Sequence, residues 1–151
     1  MNINFFMNKA INMAKRAILV DEVPVGAVLV NNQTNKIIFS SHNLTNSSIN
    51  SIMHAEIVVI IESCKILNSK FLNNTSIFIT LEPCAMCAAA ISEAHINSLY
   101  FGAYDEKKGS LESIMKIYNK KHFFVPSVYG GIEEKKCSFL LKNFFKQKRI
   151  K

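Results

Sequence analysis

Residues 76–103 read SIFITLEPCAMCAAAISEAHINSLYFGA, and the order of segments in this stretch decides the fold. Residues 76–80 and 98–103 are short runs rich in β-branched and aromatic side chains, which predicts two strands. The alanine-rich residues 84–94 between them predict a helix. When a helix connects two strands of one sheet, it carries the chain back across the sheet, and the two strands lie parallel. The stretch therefore predicts a parallel strand–helix–strand unit.

The segments on both sides extend this unit into a layered α/β domain. Apolar residues at three- and four-residue spacing predict amphipathic helices, and short apolar runs bounded by turn residues predict strands. In chain order these further elements are a helix at 5–19, a hairpin with strands at 25–30 and 36–40, a helix at 54–67, a helix at 110–118, a strand at 123–129 that Pro126 interrupts, and a helix at 133–148. The alternation predicts one domain over residues 1–151, with a mixed sheet flanked by helices.

The charge of the chain favours a polyanionic partner. The net charge is +7, from 18 basic and 11 acidic residues, and a surplus of this size attracts nucleic acid through counterion release. Basic side chains concentrate near the C-terminus, at Lys135, Lys136, Lys142, Lys146, Lys148, Arg149 and Lys151. A merely solvated basic surface is the alternative interpretation.

The N-terminal residues indicate no targeting to a membrane. Residues 1–19 lack a continuous apolar core and a small-residue cleavage site, and no stretch has the apolar length that spans a bilayer. A reducing, cytoplasmic compartment is the expectation, and an organelle stays open. In such a compartment a Cys-x-x-Cys pair indicates metal or redox chemistry before it indicates a structural disulfide.

Two short motifs carry the chemistry: His54-Ala55-Glu56, and Pro83-Cys84-Ala85-Met86-Cys87. Each opens a predicted helix, and two cysteines three residues apart on a first helical turn can point the same way. If the two helices lie side by side, one imidazole and two thiolates converge. Zinc prefers such ligands, and three protein ligands leave a fourth position for water, as in a catalytic site.

Other interpretations of the cysteine pair remain. A thioredoxin-like redox pair is one, although His-x-Glu does not accompany such pairs. A structural zinc site is another, and it needs a fourth protein ligand, for which the candidates are Cys64, Cys137, His42 and His95. Cys64 and Cys137 fall on apolar helix faces, where free cysteine behaves as a small hydrophobe. A catalytic zinc site is therefore the favoured hypothesis.

Glu56 suits the role of proton shuttle beside that zinc. A carboxylate two residues from His54 can accept a proton from zinc-activated water and pass it to a ring nitrogen and a leaving amine. The order H-x-E…P-C-x-x-C is the known signature of zinc-dependent nucleobase deaminases. The two motifs together predict a hydrolytic deaminase.

The sequence resembles the bacterial tRNA-specific adenosine deaminase family along nearly its whole length. Beyond the zinc motifs, the resemblance is carried by three blocks, which are EVPVGAVLV at residues 22–30, FGAYD at 101–105, and LLKNFFK at 140–146. It implies a three-layer cytidine-deaminase-like fold with one zinc ion per subunit and a homodimer. It also implies conversion of adenosine to inosine at the wobble position of a tRNA anticodon, with no role for DNA.

The resemblance also implies substrate contacts for individual residues. Asn43 and the backbone at Ala55 would orient the flipped base, and Asp105 would contact a neighbouring sugar-phosphate. Phe144 and Phe145, with the basic residues that follow them, would form the surface for the anticodon stem-loop. Each has a structural alternative: Asn43 can be a turn residue, Asp105 can cap a turn, and only one of two adjacent phenylalanines can face inward.

This chain departs from the family pattern at three places, all near the expected mouth of the pocket. They are residues 50–53, where D-P-T-A is common, Ala89, where glycine is usual, and Tyr104, where arginine is frequent. These departures leave other functions open. One is deamination of a free base or nucleotide such as guanine or cytosine, and another is a non-catalytic RNA-binding subunit, which an intact Glu56 argues against.

Overall fold

The computed structural model describes residues 1–150 and contains, within them, four α-helices, one 3₁₀ helix and five strands. In chain order they are α1 (Ile3–Leu19), β1 (Gly26–Asn31), β2 (Ile37–His42), α2 (Ala55–Leu67), β3 (Thr75–Leu81), α3 (Ala85–Glu93), β4 (Ser98–Ala103), the 3₁₀ helix (Ile117–Asn119), β5 (Ser127–Tyr129) and α4 (Glu134–Ile150). Lys151, the last of the basic residues in the sequence, lies outside the described part.

The strands form one mixed sheet in the order β2-β1-β3-β4-β5. β1 pairs antiparallel with both β2 and β3, while β3, β4 and β5 run parallel. The parallel pair β3 and β4 with α3 between them is the unit that residues 76–103 predicted. The predicted hairpin is also present, and its turn is held by Asn31, whose Oδ1 accepts hydrogen bonds from the amides of Gln33 and Thr34.

Helices cover both faces of the sheet, which gives the three layers expected. Alternate strand residues point to opposite faces, so Ile77 and Ile79 pack in the core with α2 and α3, while Phe78 packs with α1 and α4. All three side chains are fully buried. The α/β fold with a mixed five-stranded sheet is confirmed.

One predicted element after β4 is wrong, and another is shorter than predicted. Residues 110–118 form turns and then the short 3₁₀ helix Ile117–Asn119, rather than one α-helix. The amides of Leu111, Glu112 and Ser113 all donate to the carboxylate of Glu82, so the chain wraps around a buried side chain. Hydrophobic periodicity cannot reveal such a long-range partner.

The last strand is shorter than the predicted 123–129. Only Ser127–Tyr129 pairs with β4, because Pro126 has no amide hydrogen to donate and separates residues 123–125 from the sheet. In residues 1–150 we find no helix that is both long and apolar enough to cross a bilayer.

Candidate active site

His54, Cys84 and Cys87 meet at one point between α2 and α3. His54 is the N-cap of α2 and Cys84 is the N-cap of α3, and neither side chain caps its own helix. Their side chains are therefore free to point outward from the two helix starts. Within residues 1–150, these three residues are the group whose ligand atoms lie within 4.8 Å of one another. The predicted convergence of one imidazole and two sulfur atoms is present.

The distances between these atoms fit a zinc ion. The Nδ1 atom of His54 lies 3.7 Å from Sγ of Cys84 and 3.4 Å from Sγ of Cys87. Zn–S bonds of about 2.3 Å and Zn–N bonds of about 2.05 Å at tetrahedral angles place sulfur and nitrogen about 3.6 Å apart. The donor set and its spacing therefore match a tetrahedral site with three protein ligands.

Hydrogen bonding within this group gives one of its two sulfur atoms the form that binds metal. The hydrogen bond with Cys87 is the main cause that lowers the pKa of Cys84 to about 4, and His54 contributes to the same shift. The hydrogen bond with Cys84, together with burial, raises the pKa of Cys87 above its ordinary value. Thiolate is the form that binds metal, and Cys84 is thus a thiolate at neutral pH.

Glu56 lies in the first turn of α2 and its side chain is buried. Burial raises the pKa of its carboxyl group to about 7, and the neighbouring His54 opposes that rise. A carboxyl group with such a pKa can hold a proton or release one near neutral pH, which is the property of a general acid and base. The side chain of Cys87 is within hydrogen-bonding contact of it.

A cavity of about 590 Å³ opens next to His54. Its volume falls in the range of small-molecule and nucleobase pockets, roughly 300–1,000 Å³. The lining residues come from the segment between α1 and β1, the loop after β2 and the N-cap of α2, and they are Val23, Asn43, Thr45, Asn46, Ile49, Asn50, Ser51 and His54. The candidate metal centre is therefore reached from this cavity through His54.

Asn43, in the wall of the cavity, is joined to Ala55 by a hydrogen bond. The Oδ1 atom of Asn43 accepts a hydrogen bond of 2.8 Å from the amide of Ala55, at the first turn of α2. Both residues are buried. This bond fixes the side chain of Asn43 beside His54 and uses the amide that the resemblance assigns to the substrate.

Asp105, Phe144 and Phe145 lie outside the cavity lining. The Oδ1 atom of Asp105 accepts hydrogen bonds from the amides of Lys107 and Lys108, so this carboxylate caps a turn. Phe144 is buried and Phe145 is 44% exposed, as expected for adjacent residues on one helix. The structure therefore brings together the zinc ligands, Glu56, Asn43 and Ala55, but not these three residues.

Two buried glutamates beside the site are not apparent from the sequence. Glu22 accepts hydrogen bonds from Thr45 and Ser47. Glu82 accepts them from the Ser113 hydroxyl and from the amides of Asp105 and residues 111–113. Both carboxylates are at most 1% exposed. Glutamate is ordinarily a surface residue, so no local pattern predicts its burial. Their motifs, Glu22-Val23-Pro24 and Glu82-Pro83-Cys84, were the available signal.

Comparison with known proteins agrees with this geometry. Residues 1–103 match the family model of the cytidine and deoxycytidylate deaminase zinc-binding region. The tRNA-specific adenosine deaminase of Rickettsia bellii is 44% identical over 144 residues, which cover 95% of this chain and 99% of that protein. The tRNA-specific adenosine deaminase of Bacillus subtilis is 40% identical over 147 residues, covering 97% and 90% of the two chains.

A solved structure has the same fold. It comes from work on A-to-I editing by tRNA:A34 deaminases at the wobble position of transfer RNA. It superposes with a TM-score of 0.87 at 40% identity and covers 91% of this chain and 99% of the other.

Proposed function

The chain belongs to the tRNA-specific adenosine deaminases, within the cytidine and deoxycytidylate deaminase family, and from this premise we propose that it converts adenosine to inosine at the wobble position of a tRNA anticodon. The observation that carries the proposal is the His54, Cys84 and Cys87 group with the buried Glu56 at a cavity of nucleobase size. Adenosine and water react to give inosine and ammonia.

Zinc is the metal that we propose for this centre, with one ion per chain held by His54 Nδ1 and the two sulfur atoms. When bound, it supplies a Lewis acid that makes water nucleophilic near neutral pH. Zinc-binding chemistry is common to the family that the chain matches. The thiols must stay reduced to act as ligands, so we place the protein in a reducing compartment such as the cytoplasm.

Glu56 moves the protons in the proposed reaction. Its carboxylate takes a proton from the attacking water and delivers it to N1 of the purine as the new C–O bond forms at C6. It then passes the second proton of that water to the departing amine, which leaves as ammonia. The burial of Glu56 keeps this carboxyl group away from bulk solvent, so that protons move between it and the substrate.

Asn43 orients the base in this proposal. Its Oδ1 atom is held by the amide of Ala55, which leaves the amide nitrogen to donate to an acceptor on the purine. A wobble base can enter the cavity because bases of an anticodon loop are poorly stacked and cost little to flip out.

The anticodon stem-loop is the proposed partner of the surface around α4. Lys142, Lys146 and Arg149 lie on this helix with the exposed Phe145. Lysine and arginine neutralise phosphates, and an exposed aromatic ring can stack on a base. Asp105 lies on a turn beside the site, and we propose that its second carboxylate oxygen meets a ribose next to the target.

A homodimer is the proposed assembly. Helices α2 and α3 each carry an exposed apolar side chain, Ile61 at 41% and Met86 at 36%. Exposed apolar groups of this kind favour a protein interface. We expect sedimentation equilibrium to give twice the chain mass of 17.0 kDa, and an Ile61→Glu variant to sediment as a monomer.

The decisive assay uses an RNA stem-loop with the anticodon ACG. We expect inosine at the first anticodon position by mass spectrometry, and no product from a matched stem-loop with guanosine at that position. Free guanine, cytosine and adenine are incubated in parallel. Product from a free base together with an unreacted stem-loop would refute the tRNA assignment and favour a free-base deaminase.

A further inference from the structure

Glu22 is a buried charge that the proposed reaction does not use. Its side chain is fully buried. Its Oε1 atom accepts hydrogen bonds from the amide and hydroxyl of Ser47, at 2.7 and 2.9 Å, and its Oε2 accepts one from the hydroxyl of Thr45 at 3.2 Å. The three ion pairs found among residues 1–150 join other side chains. The donors that satisfy this carboxylate therefore come from the loop that follows β2.

The backbone at Glu22 is fixed by the end of α1. The amide of Glu22 donates to the carbonyl of Ala17, and the amide of Asp21 donates to that of Ile18. Asp21 has a φ of +58°. This pair of bonds around a left-handed residue is the Schellman motif, which closes a helix end tightly. The backbone at Glu22 is thus held in place beside the loop that follows β2.

The loop of residues 44–53 is closed by hydrogen bonds and has a strained backbone at Ile49. The amide of Leu44 bonds the carbonyl of Met53 and closes its base, and turns inside it are hydrogen-bonded as well. Ile49 at its tip is 94% exposed and has a φ of +51°. A β-branched residue is strongly disfavoured in this left-handed region, and such strain persists only where surrounding contacts impose it.

The same loop forms most of the wall of the substrate cavity. Thr45, Asn46, Ile49, Asn50 and Ser51 line it. Two further hydrogen bonds tie this part of the chain to the segment that carries Glu22. The side-chain amide of Asn46 donates to the carbonyl of Asp21, and the backbone amide of Asn43 donates to the carbonyl of Val25. The hydrogen bonds to the Glu22 carboxylate contribute most to holding the loop, because hydrogen bonds to a charged group are stronger than those between neutral groups.

We propose that Glu22 is a positioning residue for the substrate pocket. Its carboxylate holds Thr45 and Ser47, imposes the shape of the loop 44–53, and thereby sets how tightly the flanking part of the RNA substrate is bound. The proposal rests on the proposed function for the identity of the substrate. Glu22 touches neither the substrate nor the metal centre, and it acts through the loop.

The test compares Glu22→Gln and Ser47→Ala with the wild-type chain on the ACG stem-loop. A loop that holds the substrate equally in the ground and transition states changes KM and not kcat. We expect Glu22→Gln to raise KM about 10-fold or more and to leave kcat unchanged, since a displaced wall loses contacts that bind the ground and transition states equally. Ser47→Ala removes one hydrogen bond from an exposed residue outside the cavity lining, so it should raise KM about 3-fold. Zinc content should stay at the wild-type value in both.

Two control variants separate loop positioning from other effects. Glu93→Gln removes the same charge from an exposed position at the end of α3, so it reports how net charge alone changes RNA binding. Ile96→Val removes a methylene from a buried residue at the opposite end of the sheet, so it reports general destabilisation. We expect both to leave KM within about 2-fold of wild type, a small shift on the scale of binding energies.

Hydrogen exchange of the loop amides decides the proposal independently of activity. In Glu22→Gln and Ser47→Ala, residues 44–53 should exchange faster than in wild type, while the rest of the chain is unchanged. Unaltered exchange and KM in Glu22→Gln would overturn the proposal, as would a fall in kcat with lost zinc. A wild-type chain that leaves the stem-loop unreacted would refute the proposed function alone, and the exchange rates would still decide the role of Glu22.

Discussion

Glu56 shows how position in the fold gives an ordinary side chain its chemistry. An exposed glutamate has a pKa of about 4.3 and is ionised at neutral pH. Burial at the start of α2 raises the pKa of this one to about 7. The carboxyl group is then close to half-protonated near neutral pH, which suits a group that must both accept and donate a proton.

Substitution of Glu56 tests this role at the level of one residue. Glu56→Gln keeps the size of the side chain and removes the ability to carry a proton. We expect kcat on the stem-loop to fall by ~10² to 10⁴-fold, the usual contribution of a general acid and base, with zinc content unchanged. Rates are measured under single-turnover conditions. A zinc-loaded Glu56→Gln chain with robust activity would contradict the mechanism.

Cys87 tests the metal centre in the same way. Serine is a poor zinc ligand, so we expect Cys87→Ser to bind almost no zinc by mass spectrometry of the native protein and to lose activity. Cys64→Ser is the matched control, because Cys64 lies outside the ligand group.

Removal of zinc from the wild-type chain should also lower its stability. A ligand present at about 100-fold above its Kd stabilises the folded state by about 2.7 kcal/mol. We therefore expect a chelator to lower Tm in wild type and not in Cys87→Ser. An equal response of the two proteins to the chelator would show that the metal is held elsewhere.

At the scale of elements, the site depends on how helices and strands approach one another. α2 and α3 pack against each other and place His54 and Cys84 at adjacent helix starts. On the other face, α4 lies so close to β4 that Gly102 has no room for a side chain. A Cβ atom there would collide with the Sγ and Cβ atoms of Cys137 and with the carbonyl of Thr80.

Gly102→Ala tests this close contact between α4 and β4. An added methyl group in a packed interior costs roughly 1–3 kcal/mol, and we expect a loss of that size in the free energy of unfolding by urea denaturation. The double variant, with Gly102→Ala and Cys137→Ala, should lose less free energy of unfolding than the two single variants lose together. Alanine at position 137 has no Sγ atom, so one of the clashes with the new methyl group is gone. Strict additivity would show that α4 is not the obstacle.

At the scale of the whole molecule, two buried carboxylates hold the two loops beside the site. Burial alone would raise the pKa values of Glu22 and Glu82. The hydrogen bonds to the two carboxylates outweigh that effect, and both pKa values are lowered. In Glu22 these bonds come from Ser47 and Thr45, and in Glu82 mainly from Ser113 and its neighbours. The folded state thus prefers the ionised forms.

The lowered pKa of Glu22 makes stability depend on pH. Its folded pKa lies below its unfolded pKa of about 4.3, so its contribution is complete above that pH and is lost as pH falls through the folded pKa. We expect the free energy of unfolding of wild type to fall more steeply between about pH 5 and 3 than that of Glu22→Gln. Parallel curves for the two proteins in urea titrations would contradict this account of Glu22.

The sequence alone predicted the candidate metal ligands and most of the layers. Strands and helices follow from local period-2 and period-3.6 patterns, and the candidate ligands lie in two short motifs, residues 54–56 and 83–87. The α/β fold and the parallel unit are confirmed predictions of this kind. Residues 110–118 do not form the predicted helix because the amides of residues 111–113 donate to Glu82, which lies about 30 residues earlier in the sequence.

Tertiary structure alone decided the shape of the pocket. The loop 44–53 reads as polar and irregular, and nothing local shows that Glu22 holds it or that Ile49 is strained at its rim. Likewise, the raised pKa of Glu56 exists only once α2 is packed. The physical reason is the same in each case. Burial and long-range hydrogen bonds arise between segments that are distant in sequence, while the imidazole and the two thiols that could hold a metal are recognisable from the side chains themselves.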